Sequence, residues 1–244
     1  MEQKYFHDGK YWDKKEIFDE AQRFLTSPPR RVTEAIRMVE GGRVLDLGSG
    51  WGVTSYLAAK KLAGRGEVIG VERLEGDVAI AKEKFQLPNL KFMAGDITEL
   101  NFPEGSFDCV MLLEVIEHIE EPAAFIRYIN KLLRKNGSFV ISTPNAACTD
   151  TFFQNLKPIR RSMEMIDNEK GGSGTELDHV YTWTVPMLYR LLNKCGFRYD
   201  RHAFSGAGFP FTTIDRFAKT SFSNWLGPVY GKFGINIIMR VRKA

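Results

Sequence analysis

Three cysteines, no long apolar run and little excess of either charge mark this chain, and each shortage excludes a class of protein. Cys109, Cys148 and Cys195 are odd in number, scattered and without metal-type spacing, which argues against a disulfide framework and for a reduced, cytoplasmic compartment. Cys109 falls inside an apolar strand-like run and reads as core. No stretch approaches the ~20 apolar residues of a transmembrane segment. The opening Met1-Glu2-Gln3-Lys4-Tyr5-Phe6-His7-Asp8 lacks the apolar core of a signal peptide. A formal net charge of +4 is too small to demand a nucleic-acid partner. What remains is 43% hydrophobic and 26% charged, the composition of a soluble globular protein. At 244 residues the chain forms one large domain, or a domain with insertions, with room for a sizeable core.

Two nucleotide-binding signatures are missing as well. The most informative stretch is Val44-Leu45-Asp46-Leu47-Gly48-Ser49-Gly50-Trp51-Gly52, an apolar run ending in an acid and then glycines at alternate positions. It leads into Val53-Thr54-Ser55-Tyr56-Leu57-Ala58, which reads as a helix. The turn is G-x-G-x-G, without the G-x-G-x-x-G of dinucleotide folds or the Lys-Ser/Thr of a P-loop. Glycines let the backbone take positive φ and approach a ligand closely. Such a turn fits a nucleoside with a compact amino-acid tail, which is S-adenosylmethionine, through Asp46, Gly48, Ser49, Gly50 and Gly52.

Glu67-Val68-Ile69-Gly70-Val71-Glu72 reads as the second strand, ending in an acid about twenty residues past the glycines, where a carboxylate accepts from a ribose diol. Arg73 follows at the same tip and is grouped with the cofactor contacts. Leu90 to Gly95 reads as the third strand. Beyond it Asp96 can accept from the adenine amino group while Ile97 packs on the ring. Taken singly, Glu72 and Asp96 could be solvated strand-end acids; two in register behind a glycine turn favour ligand binding.

Strand-like runs at 43–47, 67–72, 90–95, 107–113 and 137–143 alternate with helical patterns such as Glu75 to Phe85 and Pro122 to Leu133. This alternation predicts an α/β fold with a parallel sheet covered on both faces. Ligands in such sheets sit outside the carboxyl ends of the strands. Two helices, Lys14 to Leu25 and Pro28 to Val39, precede the core; residues 1–40 are expected to form a helical cap ahead of a main domain at 41–244. They either cap the ligand side or cover the sheet. A long insertion at 146–178, with Lys157, Arg160, Arg161 and Gly171-Gly172-Ser173-Gly174, is expected to be a lid. Its basic residues suit an anionic group on a substrate as well as a solvated charge run. A second insertion at 203–233, rich in Phe, Trp and Tyr, is either core packing or a substrate wall.

The chain resembles the class I S-adenosylmethionine-dependent methyltransferases, in particular the small-molecule and quinone-biosynthesis O-methyltransferases. Asp46 to Gly52 matches the family's first motif, Glu72 its ribose acid, Gly95-Asp96 its adenine motif, Phe107-Asp108-Cys109-Val110 its fourth strand and Leu133 to Ser142 its fifth. The resemblance implies a Rossmann-like seven-stranded sheet, mostly parallel with an antiparallel final strand, here at Gly234 to Val241.

The chemistry is expected just past the fourth strand, at Glu114-Val115-Ile116-Glu117-His118. If this segment is a helical turn, Glu114, Glu117 and His118 share a face. His118 can then act as general base, with Glu114 and Glu117 as catalytic partners and Glu114 also near the cofactor's ammonium. Asp46 has a similar claim on that ammonium. Asn145, after the fifth strand, either touches substrate or makes an Asx turn. Glu-x-x-Glu-His resembles the metal motif of quinone-biosynthesis and small-RNA 3′-terminal methyltransferases. With His179 of Asp178-His179-Val180-Tyr181-Thr182-Trp183-Thr184, the candidate set for a divalent metal is Glu114, Glu117, His118 and His179. The default expectation is no metal.

The leading reading is methylation of a small molecule or biosynthetic intermediate on a hydroxyl: a phenol, a sugar or a lipid-linked precursor. Metal-dependent RNA 2′-O-methylation and a non-catalytic, interaction-only use of the fold are the alternatives. A nucleic-acid substrate is disfavoured by the modest charge, and a nicotinamide oxidoreductase by the glycine spacing. No residue pattern points to an oligomeric state.

Overall fold

The computed structural model describes residues 4–7, 10–148, 180–205 and 234–244. The chain opens with an antiparallel hairpin that sequence reasoning did not expect, β1 (Lys4–His7) and β2 (Lys10–Asp13). Helix α1 (Lys14–Thr26) follows at once because Asp13 and Glu16 cap each other. Asp13 Oδ1 accepts from the Glu16 N–H at 2.8 Å, and Glu16 Oε2 accepts from the Asp13 N–H at 2.9 Å. Pro29 caps α2 (Arg30–Met38), two residues later than the expected start at Pro28.

The main domain alternates strands and helices: β3 (Arg43–Leu47), α3 (Val53–Leu62), β4 (Glu67–Glu72), α4 (Glu75–Lys84), β5 (Leu90–Ala94), β6 (Phe107–Leu113), α5 (Pro122–Leu132), β7 (Leu133–Pro144), α6 (Val185–Lys194), β8 (Phe197–Ser205) and β9 (Asn236–Lys243). The seven-stranded sheet has the order β5-β4-β3-β6-β7-β9-β8. Strands β3 to β7 pair in parallel, and β9 inserts antiparallel between β7 and β8. The expected mostly parallel sheet with an antiparallel final strand is therefore the one observed.

Alternate residues of each strand feed separate cores on the two faces. Leu45, Leu47, Val110, Leu112, Phe139 and Ile141 pack with Phe125, Ile126 and Ile129 of α5 and Leu188 and Leu192 of α6. Val44, Val68, Cys109, Met111 and Val140 pack with Ala35 and Met38 of α2, Ala58 and Leu62 of α3 and Ala81 of α4. Burial on both faces explains why these strands read as nearly unbroken apolar runs. Cys109 is fully buried, and burial pushes its thiol up to about 11, so it is a core residue. Helix α2 packs Ala35 and Met38 against the sheet.

Strand β7 starts four residues earlier than expected. Leu133 already pairs with Phe107, and the ladder shifts register before Cys109 meets Ser138, past a left-handed Asn136 (φ 60°). Most of the expected lid at 146–178 and of the aromatic insertion at 203–233 lies outside the described residues.

Candidate active site at the carboxyl ends of the strands

The turn between β3 and α3 is made by Gly48, Gly50 and Gly52, with φ of 74°, 50° and 88°. All three take the left-handed conformation that side chains resist. Close packing adds a second reason at two of them. A Cβ on Gly48 would fall 2.6 Å from Val115 Cγ2, and one on Gly52 would fall 2.6 Å from Phe92 Cζ. The turn hangs on β4, since the N–H groups of Gly48 and Ser49 donate to Val71 O at 2.9 and 3.0 Å.

Glu72, at the end of β4, braces this turn from the side. Its Oε2 accepts from the Gly50 N–H at 3.0 Å, and its Oε1 accepts from the N–H groups of Arg73 and Leu74 at 2.7 and 3.2 Å. A carboxylate has about four lone-pair positions, so the group keeps capacity for a further donor. Arg73 is exposed beside it and contributes a backbone donor to Glu72. Ser49 is buried, yet its Oγ finds no hydrogen-bond partner among the described residues. A buried hydroxyl left unpaired inside a glycine cradle calls for a polar ligand.

Asp46 turns its carboxylate into the fold. It is 1% exposed, and its Oδ2 accepts from Thr54 Oγ1 at 2.8 Å and Ser55 Oγ at 2.6 Å. It therefore ties the end of β3 to the first turn of α3. Burial, opposed by those two hydroxyls, pushes its carboxyl up to about 6. Asp96 is exposed; its Oδ1 accepts from the Thr98 N–H and Oγ1 at 2.8 and 2.7 Å. The Thr98 bonds hold its carboxyl below the usual range. Ile97 is half-buried against the first core.

The segment past β6 corrects the idea of one helical face. Glu114 has a left-handed backbone (φ 57°) and stands outside the short 3₁₀ turn Ile116–His118. Its N–H continues the sheet by donating to Ser142 O at 3.0 Å. Its carboxylate accepts from Ser142 Oγ at 2.6 Å and Asn236 Nδ2 at 2.7 Å, and burial raises its pKa. Glu117 turns inward, 1% exposed, and accepts from Thr143 Oγ1 at 3.0 Å; burial, then the nearby Glu114, pushes it up to about 8. His118 turns outward and is exposed. A 3₁₀ turn has three residues per turn rather than 3.6, and it begins two residues after Glu114, so the i, i+3, i+4 alignment does not form. Among the described residues, no three acids, histidines or cysteines gather as a metal site. His179, the fourth candidate ligand, lies outside the described residues, as do Lys157, Arg160, Arg161 and the Gly171 to Gly174 run.

Asn145 makes the Asx turn and braces the sheet. Its Oδ1 accepts from the Ala147 N–H at 3.0 Å, and its Nδ2 donates to Gly234 O at 2.8 Å. Two residues escaped sequence reasoning. The charge of Arg31, in the first turn of α2, acts on both Glu114 and Glu117, while the ion pairs of that helix run through Arg30, Glu34 and Arg37. Asn236 reaches Glu114 from a strand 122 residues away. Only the helical pattern around Arg31 could have hinted at the first; no local signal marks the second.

A glycine turn, an acid at the end of β4 and a second acid just past β5 gather at the strand ends of an α/β protein. Residues 38–184 match the methyltransferase-domain family, more than half of the chain, and the chain belongs to it. A ubiquinone biosynthesis O-methyltransferase of Azorhizobium caulinodans is 29% identical over 113 residues, 46% of this chain and 44% of that protein. A phosphatidylethanolamine N-methyltransferase of Cereibacter sphaeroides is 30% identical over 129 residues, 51% of this chain and 62% of that protein. The matches thus span less than two thirds of these curated relatives. Among solved structures, an S-adenosylmethionine-dependent methyltransferase from Thermotoga maritima, a possible histamine N-methyltransferase, has a TM-score of 0.59. It is 15% identical, with 95% of this chain and 98% of that one covered, so it shares the fold.

Proposed function

We propose that the chain transfers a methyl group from S-adenosylmethionine to a hydroxyl of a small molecule or biosynthetic intermediate. The observation that carries this reading is the left-handed glycine turn braced by Glu72, with Ser49 Oγ inside it unpaired among the described residues. The residues present fit the cofactor. Glu72 would accept from the ribose hydroxyls, Asp96 from the adenine amino group, and Ile97 would pack on the ring. Glu114 would meet the ammonium of the amino-acid end and Arg31 its carboxylate. Asp46 would act indirectly, by fixing the start of α3.

Bound S-adenosylmethionine supplies a methyl group already activated on a sulfonium. The chain's part is to align the acceptor, exclude water and take up a proton; alignment makes the step effectively unimolecular. His118, exposed at the rim, would receive the acceptor's proton as a general base. The O-methyltransferase name of the Azorhizobium caulinodans relative favours an oxygen acceptor. The Cereibacter sphaeroides relative acts on nitrogen by name, so acceptor chemistry is what the experiment must resolve.

The test is methyl-labelled S-adenosylmethionine with purified protein and fractionated extract, with and without EDTA. Label in a small-molecule or lipid fraction, stable as an ether, supports the reading. Label in RNA overturns it, as does label on nitrogen. Loss of transfer with EDTA, restored by added metal, would bring the Glu114, Glu117, His118 and His179 set into the mechanism.

A further inference from the structure

Side chains near the ends of β7 and β9 bond Glu114, just past β6, and one from the end of β8 bonds the β9 residue behind it. Ser205, the last residue of β8, donates from Oγ to Asn236 Oδ1 at 2.9 Å. Asn236, the first residue of β9, donates from Nδ2 to Glu114 Oε2 at 2.7 Å, and Ser142 of β7 donates to Oε1 at 2.6 Å. Ser142, Ser205 and Asn236 are 1%, 4% and 9% exposed, so these bonds are shielded from competing water. Direction matters in this chain. With the Ser205 hydroxyl on its carbonyl oxygen, the Asn236 amide presents its NH₂ to Glu114, and a carboxylate accepts there without rearrangement.

The backbone supports the same reading. Glu114 holds φ 57°, a conformation that a non-glycine residue keeps only when its surroundings impose it. Its neighbour Val115 packs into the space left by the missing Cβ of Gly48. The backbone of Glu114 is thereby fixed one residue from a contact with the glycine turn, and each carboxylate oxygen retains acceptor capacity after its bond to Asn236 or Ser142.

We infer that Asn236 is a positioning residue which, through Glu114, holds the amino-acid end of bound S-adenosylmethionine; this rests on the cofactor reading above. Ser205 sets the orientation of the Asn236 amide. Neither residue touches the cofactor itself.

Two ligands separate this role from a merely structural one. S-adenosylhomocysteine carries the amino-acid end, whereas 5′-methylthioadenosine keeps the nucleoside and sulfur without it. In equilibrium titrations of the full chain, Asn236→Leu should weaken S-adenosylhomocysteine at least 10-fold and leave 5′-methylthioadenosine within twofold. Ser205→Ala should show a smaller loss with the same selectivity, and it carries the test if Asn236→Leu does not fold. Glu114→Gln combined with Asn236→Leu should lose little more than Glu114→Gln alone, since the two act as one unit. Equal loss of both ligands in these variants, or unchanged affinity for both, overturns the inference while the cofactor reading stands. A wild-type chain that binds neither ligand overturns both together.

Discussion

Asp46 shows how a motif residue can sit where expected and still do something else. Its position at the end of β3 matches the reading from sequence, but its carboxylate spends its hydrogen bonds on Thr54 and Ser55. The cost of that burial is measurable. With the folded-state pKa raised from 3.8 to about 6, the folded state binds more protons than the unfolded one between those values. Stability from this group is therefore complete below about pH 4 and falls as pH rises through 6. Asp46→Asn removes the titration. The stability of the variant relative to wild type should rise by up to ~3 kcal/mol between pH 4 and pH 7.5, as read from denaturant melts. An unchanged difference across that range would contradict the buried, raised carboxyl. His118 makes the opposite case, with an exposed side chain. His118→Ala should leave S-adenosylhomocysteine affinity within about twofold and slow methyl transfer by roughly 10²-fold or more. Full turnover in the variant would remove the base role.

Elements decide which of these residues meet. The turn from β3 to α3 works as a unit because its glycines hold positive φ while Val115 and Phe92 occupy the space a side chain would need. Gly52→Ala should destabilise the fold by roughly 1–3 kcal/mol or more, from left-handed strain and overpacking together, and should lower cofactor affinity beyond that of a surface control. Thermal melts and a titration check both parts. The strands at 43–47, 67–72 and 107–113 were legible residue for residue, because two-sided burial writes an apolar run with clear ends. The hairpin of β1 and β2 was not, since two four-residue strands carry too short a pattern to distinguish from loop. The helical face at Glu114, Glu117 and His118 failed for another reason. Spacing tells which residues would align in a helix, but not that Glu114 would turn left-handed and start the 3₁₀ turn later. Asn236 and Ser205 were invisible because the bonds that give them meaning close over 122 and 31 residues.

At the scale of the whole molecule, the strand directions explain why the candidate site residues gather at one end of the sheet. Strands β3 to β7 all run the same way, so their last residues and the loops beyond, Asp46 with its glycine turn, Glu72, Asp96 and Glu114, collect at one end. The antiparallel β9 brings its first residue, Asn236, to that same end, opposite Pro144 and Ser205. Helix α2 covers the sheet with Ala35 and Met38 and brings Arg31 into electrostatic reach of Glu114 and Glu117. Among the described residues no helix is long and apolar enough to cross a membrane.

The glycine turn and Glu72 are proposed to bind the nucleoside of S-adenosylmethionine. Equilibrium titration of S-adenosylhomocysteine against wild type and Glu72→Ala tests this proposal most directly. The wild-type chain should show one site and the variant a loss of roughly 10- to 100-fold, the value of charge-assisted hydrogen bonds to the ribose. Saturable binding that is indifferent to Glu72→Ala, or no binding to the wild-type chain at all, would contradict it.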